Sequence, residues 1–359
     1  MSAATAAPLS RTPTGSVLRL QNGKEVILST TDIKDDFDHI PIIDISAVHS
    51  DVFEERLALA LALRDICCNI GFFYALNHGI PSDVAQGPFS AAKEFFEKPM
   101  DEKMEVYTGK LPDGEYQGYH PLLQYNLNGR PYNDLYEAFN FTYDLKYDPI
   151  HGGKESETPA RNLWPENIPR FKERCFDYHA ACLTLARKLI RIFALALDLP
   201  EDYFDESIEV PAAAMRMVHY PPQSVDSESQ NGIAAHTDHE CFTMVNQDEV
   251  GGLEVLNKSG VWVRAPYVPN TFVVNIADCL MRLSNDTFVS TVHRVVNNRS
   301  GVDRYSVPFF FGLNRNYLLE PLPTCVSEKR PGKYPVVTVD EYLKWRSSLS
   351  KKSAKNAAS

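Results

Sequence analysis

The chain has 359 residues, 44% of them apolar, 23% charged and 11% aromatic, the usage of an ordinary folded protein, which excludes disordered, collagen-like and low-complexity classes. Its 36 basic and 47 acidic residues give a net charge of -11 with no basic stripe, which argues against nucleic acid and anionic membrane surfaces and favours a small-molecule substrate. No apolar run approaches the roughly 18 residues of a membrane span, and seven cysteines without C-x-x-C spacing read as free thiols of a reducing, cytoplasmic compartment.

Residues 1–38 read as a polar tail followed by a hairpin, with Leu18 to Leu20 and Glu25 to Leu28 flanking the turn signal Asn22-Gly23. Ile40 to Ile45 predicts a short strand. Asp51 with Glu54 is spaced as the cap of a helix running to about Asn69, Gly71 stands where that helix should stop, and Phe72 to Leu76 predicts another strand. The region 39–165 is expected to pack on the core as an N-terminal unit. It includes an aromatic-rich stretch from Tyr116 through Tyr119, Tyr125, Tyr132, Tyr136, Phe139 and Phe141 to Tyr143, which either covers the sheet or lines a substrate mouth.

The second region, 166–345, opens with a helix over Phe171 to Leu197, where apolar residues recur at three- and four-residue steps and Pro200 lies just beyond. From Met215 onward the texture is β-rich, with short segments at Met215 to Tyr220, Phe242 to Val245, Leu253 to Leu256, Val261 to Ala265, Thr271 to Ile276, Val289 to Val295 and Tyr305 to Phe311. Many short, evenly spaced strands mean a sandwich or barrel, of which the jelly roll is one form. The fold class is therefore mainly β with supporting helices. Thr338 and Glu341 form a capping box for a short helix, and 346–359 reads as a flexible tail.

Chemistry concentrates in the β-rich half. His236-Thr237-Asp238 puts an imidazole and a carboxylate on one face if the segment is a strand, and His293 follows 55 residues past Asp238. Two histidines and one carboxylate are the facial triad of a non-haem Fe(II) site, with positions left open for co-substrate and dioxygen. A lone H-x-D arises by chance in a chain with ten histidines, but Arg304-x-Ser306 adds a guanidinium and a hydroxyl on one face of the next strand, a clamp suited to a distal carboxylate. His219 reads as a core histidine, and Asn275 and Asp278 as supports of the ligand strand.

These motifs, in this order, resemble the Fe(II)- and 2-oxoglutarate-dependent dioxygenases of the isopenicillin N synthase-like branch, from about Ile40 to about Leu343. The resemblance rests on Ile40-Pro41-Ile42-Ile43-Asp44, Gly71-Phe72-Phe73-Tyr74, Asn77-His78-Gly79-Ile80-Pro81, His236-Thr237-Asp238, Val274-Asn275-Ile276-Ala277-Asp278, His293-Arg294-Val295 and Arg304-Tyr305-Ser306. It implies a distorted double-stranded β-helix, with Fe(II) bound by His236, Asp238 and His293. The C5 carboxylate of 2-oxoglutarate is then held by Arg304 and Ser306, with Tyr220 sharing it. It further implies that O2 and 2-oxoglutarate are consumed, with succinate and CO2 released, as an unactivated C–H bond of a small molecule of secondary metabolism is hydroxylated, desaturated or cyclised. Val218 stands where relatives often carry Asn, which leaves the C1 contact unassigned. Phe139, Phe141, Phe288, Phe309 and Phe311 are the expected substrate contacts. Two other readings stay open: an iron oxidase that does not use 2-oxoglutarate, and a catalytically silent jelly-roll binding protein.

Overall fold

The computed structural model describes residues 17–20, 23–28, 36–112, 116–125, 133–156, 161–223 and 230–357, the side chains from 350 onward excepted. The expected tail over 1–16, Asn22 of the expected turn, and Tyr132 lie outside these residues. In chain order β1 (Val17–Arg19), β2 (Glu25–Ile27), β3 (Ile42–Asp44), α1 (Phe53–Asn69), β4 (Phe72–Leu76), α2 (Ser82–Phe96), α3 (Met100–Met104), β5 (Gly118–His120) and β6 (Glu137–Thr142) precede the long α4 (Phe171–Ala196). Then come β7 (Ala212–Tyr220), β8 (Asn231–His236), β9 (Phe242–Gln247), β10 (Leu253–Leu256), β11 (Trp262–Ala265), β12 (Thr271–Ile276), α5 (Asp278–Leu283), β13 (His293–Val296), β14 (Arg304–Gly312) and α6 (Val339–Ala357).

An eight-stranded sheet of order β3-β4-β12-β9-β14-β7-β6-β5 faces a four-stranded sheet of order β11-β10-β13-β8. This is the jelly-roll core expected from the strand spacing. Residues alternate across the large sheet, so each of its faces is buried for a different reason. On one face Met215, Met217, Phe309 and Phe311 join residues of α1, α2 and α4 in the main core. On the other, Tyr74, Val218, Tyr220 and Val273 meet Val255, Val263 and Val295 of the small sheet. The β1–β2 hairpin forms with Leu18 opposite Val26, and its leucines pack on Leu256 and Trp262 of the small sheet.

The α4 helix agrees with its periodicity and carries Phe171, Cys175, Cys182, Leu185, Leu189 and Phe193 into the main core. Each large apolar side chain so buried stabilises the fold by about 1.5–3 kcal/mol. The start of α1 differs from expectation. The helix begins at Phe53 without an Asp51 cap, and the Ser50 hydroxyl instead accepts from the Val52 N–H at 3.1 Å while donating to Glu55. At α6 the capping box does form, the Thr338 N–H donating to Glu341 at 2.8 Å and the Glu341 N–H to the Thr338 hydroxyl at 3.1 Å. The seven cysteines are free, and no helix among the described residues is long and apolar enough to cross a membrane.

Candidate active site

His236 is the last residue of β8 and His293 the first of β13, and the two are direct cross-strand partners with ring centroids 4.3 Å apart. Asp238 is not on the strand, as the two-residue spacing had suggested, but two residues into the loop beyond it. Hydrogen bonds aim its carboxylate instead. Oδ2 accepts from the Thr243 hydroxyl of β9 at 2.6 Å and from the Asn275 amide of β12 at 2.8 Å. Oδ1 is thereby turned toward the imidazoles, 3.6 Å from each Nε2.

The histidine tautomers follow from their partners. His236 Nδ1 lies 2.7 Å from the Ala234 carbonyl and His293 Nδ1 3.1 Å from the Thr291 carbonyl. A carbonyl can only accept, so each Nδ1 carries a proton and each Nε2 is the nitrogen left facing Asp238. The three ligand atoms lie within 4.8 Å of one another, a donor set that suits a divalent transition metal with open positions. Burial pushes the His236 imidazole down to about 4, the His293 charge adding to the effect, so it is neutral at neutral pH. Burial works against the Asp238 charge, yet the two imidazoles and the Thr243 hydroxyl hold its carboxyl well below the usual range. Phe72 closes one side, packed edge-to-face on His293 with the ring centroids 5.3 Å apart.

The ligand loop is pinned from behind by Asp278, at the start of α5. Its N–H donates to the Asp238 carbonyl at 3.0 Å, and its carboxylate accepts from Thr237 at 3.2 Å, Ser290 at 2.7 Å and the Tyr342 hydroxyl of α6 at 2.8 Å. Arg346 of α6 donates to the Thr237 carbonyl at 3.3 Å and stands 3.4 Å from Asp278. The segment expected as a flexible tail from 346 continues helix α6 to Ala357, and Arg346 within it is only 2% exposed, held against Thr237 and Asp278.

A second cluster lies on the same face of the large sheet. β14 pairs with β7 so that Arg304 stands opposite Tyr220 and Ser306 opposite Val218. All four are buried, and the Arg304 guanidinium sits 4.5 Å from the centre of the Tyr220 ring. A Cβ at Gly232 would come within 2.8 Å of that ring, so only glycine lets the tyrosine lie against β8. Arg304 reaches one acceptor, Gln247 at a long 3.5 Å, while its Nε and Nη1 have no partner. An unbalanced buried cation costs several kcal/mol, and a guanidinium with two open donors beside a hydroxyl matches a planar carboxylate.

The expected substrate phenylalanines are elsewhere. Phe139, Phe141, Phe288, Phe309 and Phe311 are fully buried in the main core. Phe139 packs on Phe95 and Phe171, Phe141 on Phe176, Phe309 on His179 and Phe288 on Phe193. Phe139, Phe141, Phe309 and Phe311 occupy the alternate positions of β6 and β14, so the residues of these strands on the opposite face include Ala138, Asn140, Ser306 and Phe310, while Phe288 lies between α5 and β13. Glu137 also turns away, into a network with Lys103 at 2.9 Å, Tyr119 at 2.6 Å and His219 at 2.7 Å. His219 is the hydrogen-bonded core histidine expected, and Asn275 and Asp278 support the ligands as expected. Thr243, Tyr342 and Arg346 were missed, and no local signal marks them, since each acts across the tertiary fold.

Comparison with known proteins agrees with this geometry. The family model described as the 2OG-Fe(II) oxygenase superfamily matches residues 211–313, and that described as the non-haem dioxygenase in morphine synthesis N-terminal region matches 40–167. A 2-oxoglutarate-Fe(II) type oxidoreductase of Metarhizium majus is 37% identical over 96% of this chain and 97% of its own. A homoarginine-6-hydroxylase of Arabidopsis thaliana is 35% identical over 83% of this chain and 91% of its own. Among solved structures, a Neurospora crassa protein in complex with alpha-KG and thymine superposes with a TM-score of 0.75 at 27% identity, over 88% of this chain and 98% of its own.

Proposed function

The chain belongs to the Fe(II)- and 2-oxoglutarate-dependent oxygenases, and we propose that His236, Asp238 and His293 hold its iron while Arg304, Ser306 and Tyr220 hold the C5 end of 2-oxoglutarate. The observation that carries this assignment is the pairing of two features on one sheet face. Three ligand atoms converge with both Nδ1 protons already committed, and a buried guanidinium nearby keeps two donors without an acceptor. With iron and 2-oxoglutarate bound, O2 is consumed, 2-oxoglutarate leaves as succinate and CO2, and a C–H bond of a small molecule of secondary metabolism is oxidised.

The protein's own work is positioning. Thr243 and Asn275 orient Asp238, the two backbone carbonyls fix the imidazoles, and Arg304 sets the direction in which the co-substrate lies. Phe72, Val218, Val245 and Val273 line the inter-sheet space with apolar surface that excludes water and stray reactants. The test is an anaerobic titration of the apo-protein with Fe(II) and then 2-oxoglutarate, following the visible charge-transfer band of a chelated 2-oxo acid. The band is expected in the wild type, lost in His236→Ala and shifted to higher 2-oxoglutarate concentration in Arg304→Ala. Tight iron binding without a band would overturn the co-substrate assignment.

A further inference from the structure

The buried and half-buried guanidiniums of this molecule differ in what balances them. Arg187 is paired with Asp148 at 2.7 Å, Arg294 with Glu254 at 2.7 Å, and Arg346 stands 3.4 Å from Asp278. Arg304 is balanced by 2-oxoglutarate on the reading above. Arg216 has no carboxylate partner among the described residues. Its guanidinium lies 4.9 Å from the ring centre of Tyr136 and 5.9 Å from that of Tyr125, donates to the Tyr136 hydroxyl at 3.2 Å, and keeps its buried Nε without an acceptor.

Its place in the fold is informative. On β7, Arg216 alternates onto the same face as Val218 and Tyr220, the face that bears Arg304 and Ser306. At about 3.3 Å per residue it stands roughly 13 Å along the strand from Tyr220, further than a five-carbon diacid held at Arg304 extends. Directly opposite it on β6 is Asn140.

The Asn140 amide can be oriented from its neighbours. His120 Nε2 lies 2.8 Å from the Tyr116 carbonyl, which can only accept, so Nε2 carries the proton and Nδ1 accepts from the Tyr125 hydroxyl. The Asn140 amide lies 3.0 Å from that same nitrogen; turned so that its oxygen shares the Nε2 proton with the Tyr116 carbonyl, it presents its NH2 on the side where the amide has no partner. Two neighbouring side chains on paired strands then offer N–H donors, one of them cationic, and no acid among the described residues answers them.

We propose that Arg216, with the Asn140 amide beside it, binds a carboxylate of the substrate, so that the molecule oxidised is an organic acid; this rests on the assignment of the iron and 2-oxoglutarate sites above. The flanking tyrosine rings hold the guanidinium in place by cation–π contact, and the planar fork accepts a carboxylate with two parallel hydrogen bonds.

The test uses the full chain loaded anaerobically with Fe(II) and 2-oxoglutarate and a panel of small carboxylic acids, each paired with its primary amide, with alkyl phosphates alongside. Binding is read as a change in the charge-transfer band, and turnover as succinate released in air. Acids are expected to bind at least about tenfold more tightly than their amides, the effect of one or more charged hydrogen bonds. Arg216→Gln should abolish that preference while 2-oxoglutarate affinity stays within about twofold, and Arg216→Lys, which keeps the charge, should recover part of it. Equal binding of acids and amides, a preference for phosphates, or no panel member binding to enzyme whose band forms normally would each overturn the proposal. So would a loss of 2-oxoglutarate affinity in Arg216→Gln equal to that in Arg304→Gln. A wild-type enzyme that forms no band would instead overturn the co-substrate assignment on which the proposal stands.

Discussion

Replacing Thr243 by valine removes one hydroxyl and little volume from a side chain that is 1% exposed, and the loss falls on Asp238 alone. In the native site Oδ2 is held by two donors, Thr243 at 2.6 Å and Asn275 at 2.8 Å, and it is this pair that turns Oδ1 toward the imidazoles. Valine leaves Asn275 as the single donor and lets the carboxylate rotate about its last torsion. Losing an outer partner of a metal ligand costs about 10- to 100-fold in metal affinity, or about 1.4–2.7 kcal/mol. The assay is anaerobic Fe(II) binding in competition with a chelator, with the melting temperature of the apo-protein measured alongside to show that the variant folds. Because both donors act on one oxygen, Thr243→Val and Asn275→Ala should be non-additive in a double-mutant cycle, with a coupling of about 0.5–3 kcal/mol. A folded Thr243→Val variant with unchanged Fe(II) affinity would refute the reasoning and show that the loop backbone alone orients the ligand.

Arg304→Gln should weaken 2-oxoglutarate by about 2–5 kcal/mol, the cost of truncating one partner of a buried charge pair, while leaving Fe(II) affinity unchanged in the same titration. Phe311→Ala should lower the unfolding free energy in urea by about 3–5 kcal/mol without altering the Michaelis constant or product ratio, because Phe311 lies in the main core on the face away from the ligands. Burial opposes the Glu137 charge, but His219, Tyr119 and Lys103 hold its carboxyl below its ordinary value of 4.5. Its contribution to stability is therefore full above that value and lost as the pH falls through the lower folded one. Glu137→Gln should flatten that part of the acid limb when urea unfolding is compared between about pH 6 and about pH 3. Tyr342→Phe removes one of the three side-chain hydroxyls held by Asp278 and should weaken Fe(II) binding less than Thr243→Val does, since it acts one contact further out.

Local sequence determined which segments become strands and helices and which motifs carry the chemistry. The three- and four-residue steps of 171–197 are enough to make α4, the Thr338 and Glu341 spacing closes its own capping box, and the order His-x-Asp, His, Arg-x-Ser picks out the candidate ligands before any fold is known. Tertiary structure decided which way the side chains point. Alternation along β14 says that Phe309 and Phe311 share a face and Ser306 and Phe310 the other, but both faces of the large sheet are buried, one under helices and one under the small sheet. Hydrophobicity therefore cannot tell the chamber side from the packing side, and the aromatic residues that looked like substrate contacts proved to be core. The same holds for the ligand loop. Asp238 is aimed by Thr243 and Asn275, and Arg346 is buried by contact with Thr237, through hydrogen bonds between residues brought together from separate strands and a distant helix, which no local pattern encodes.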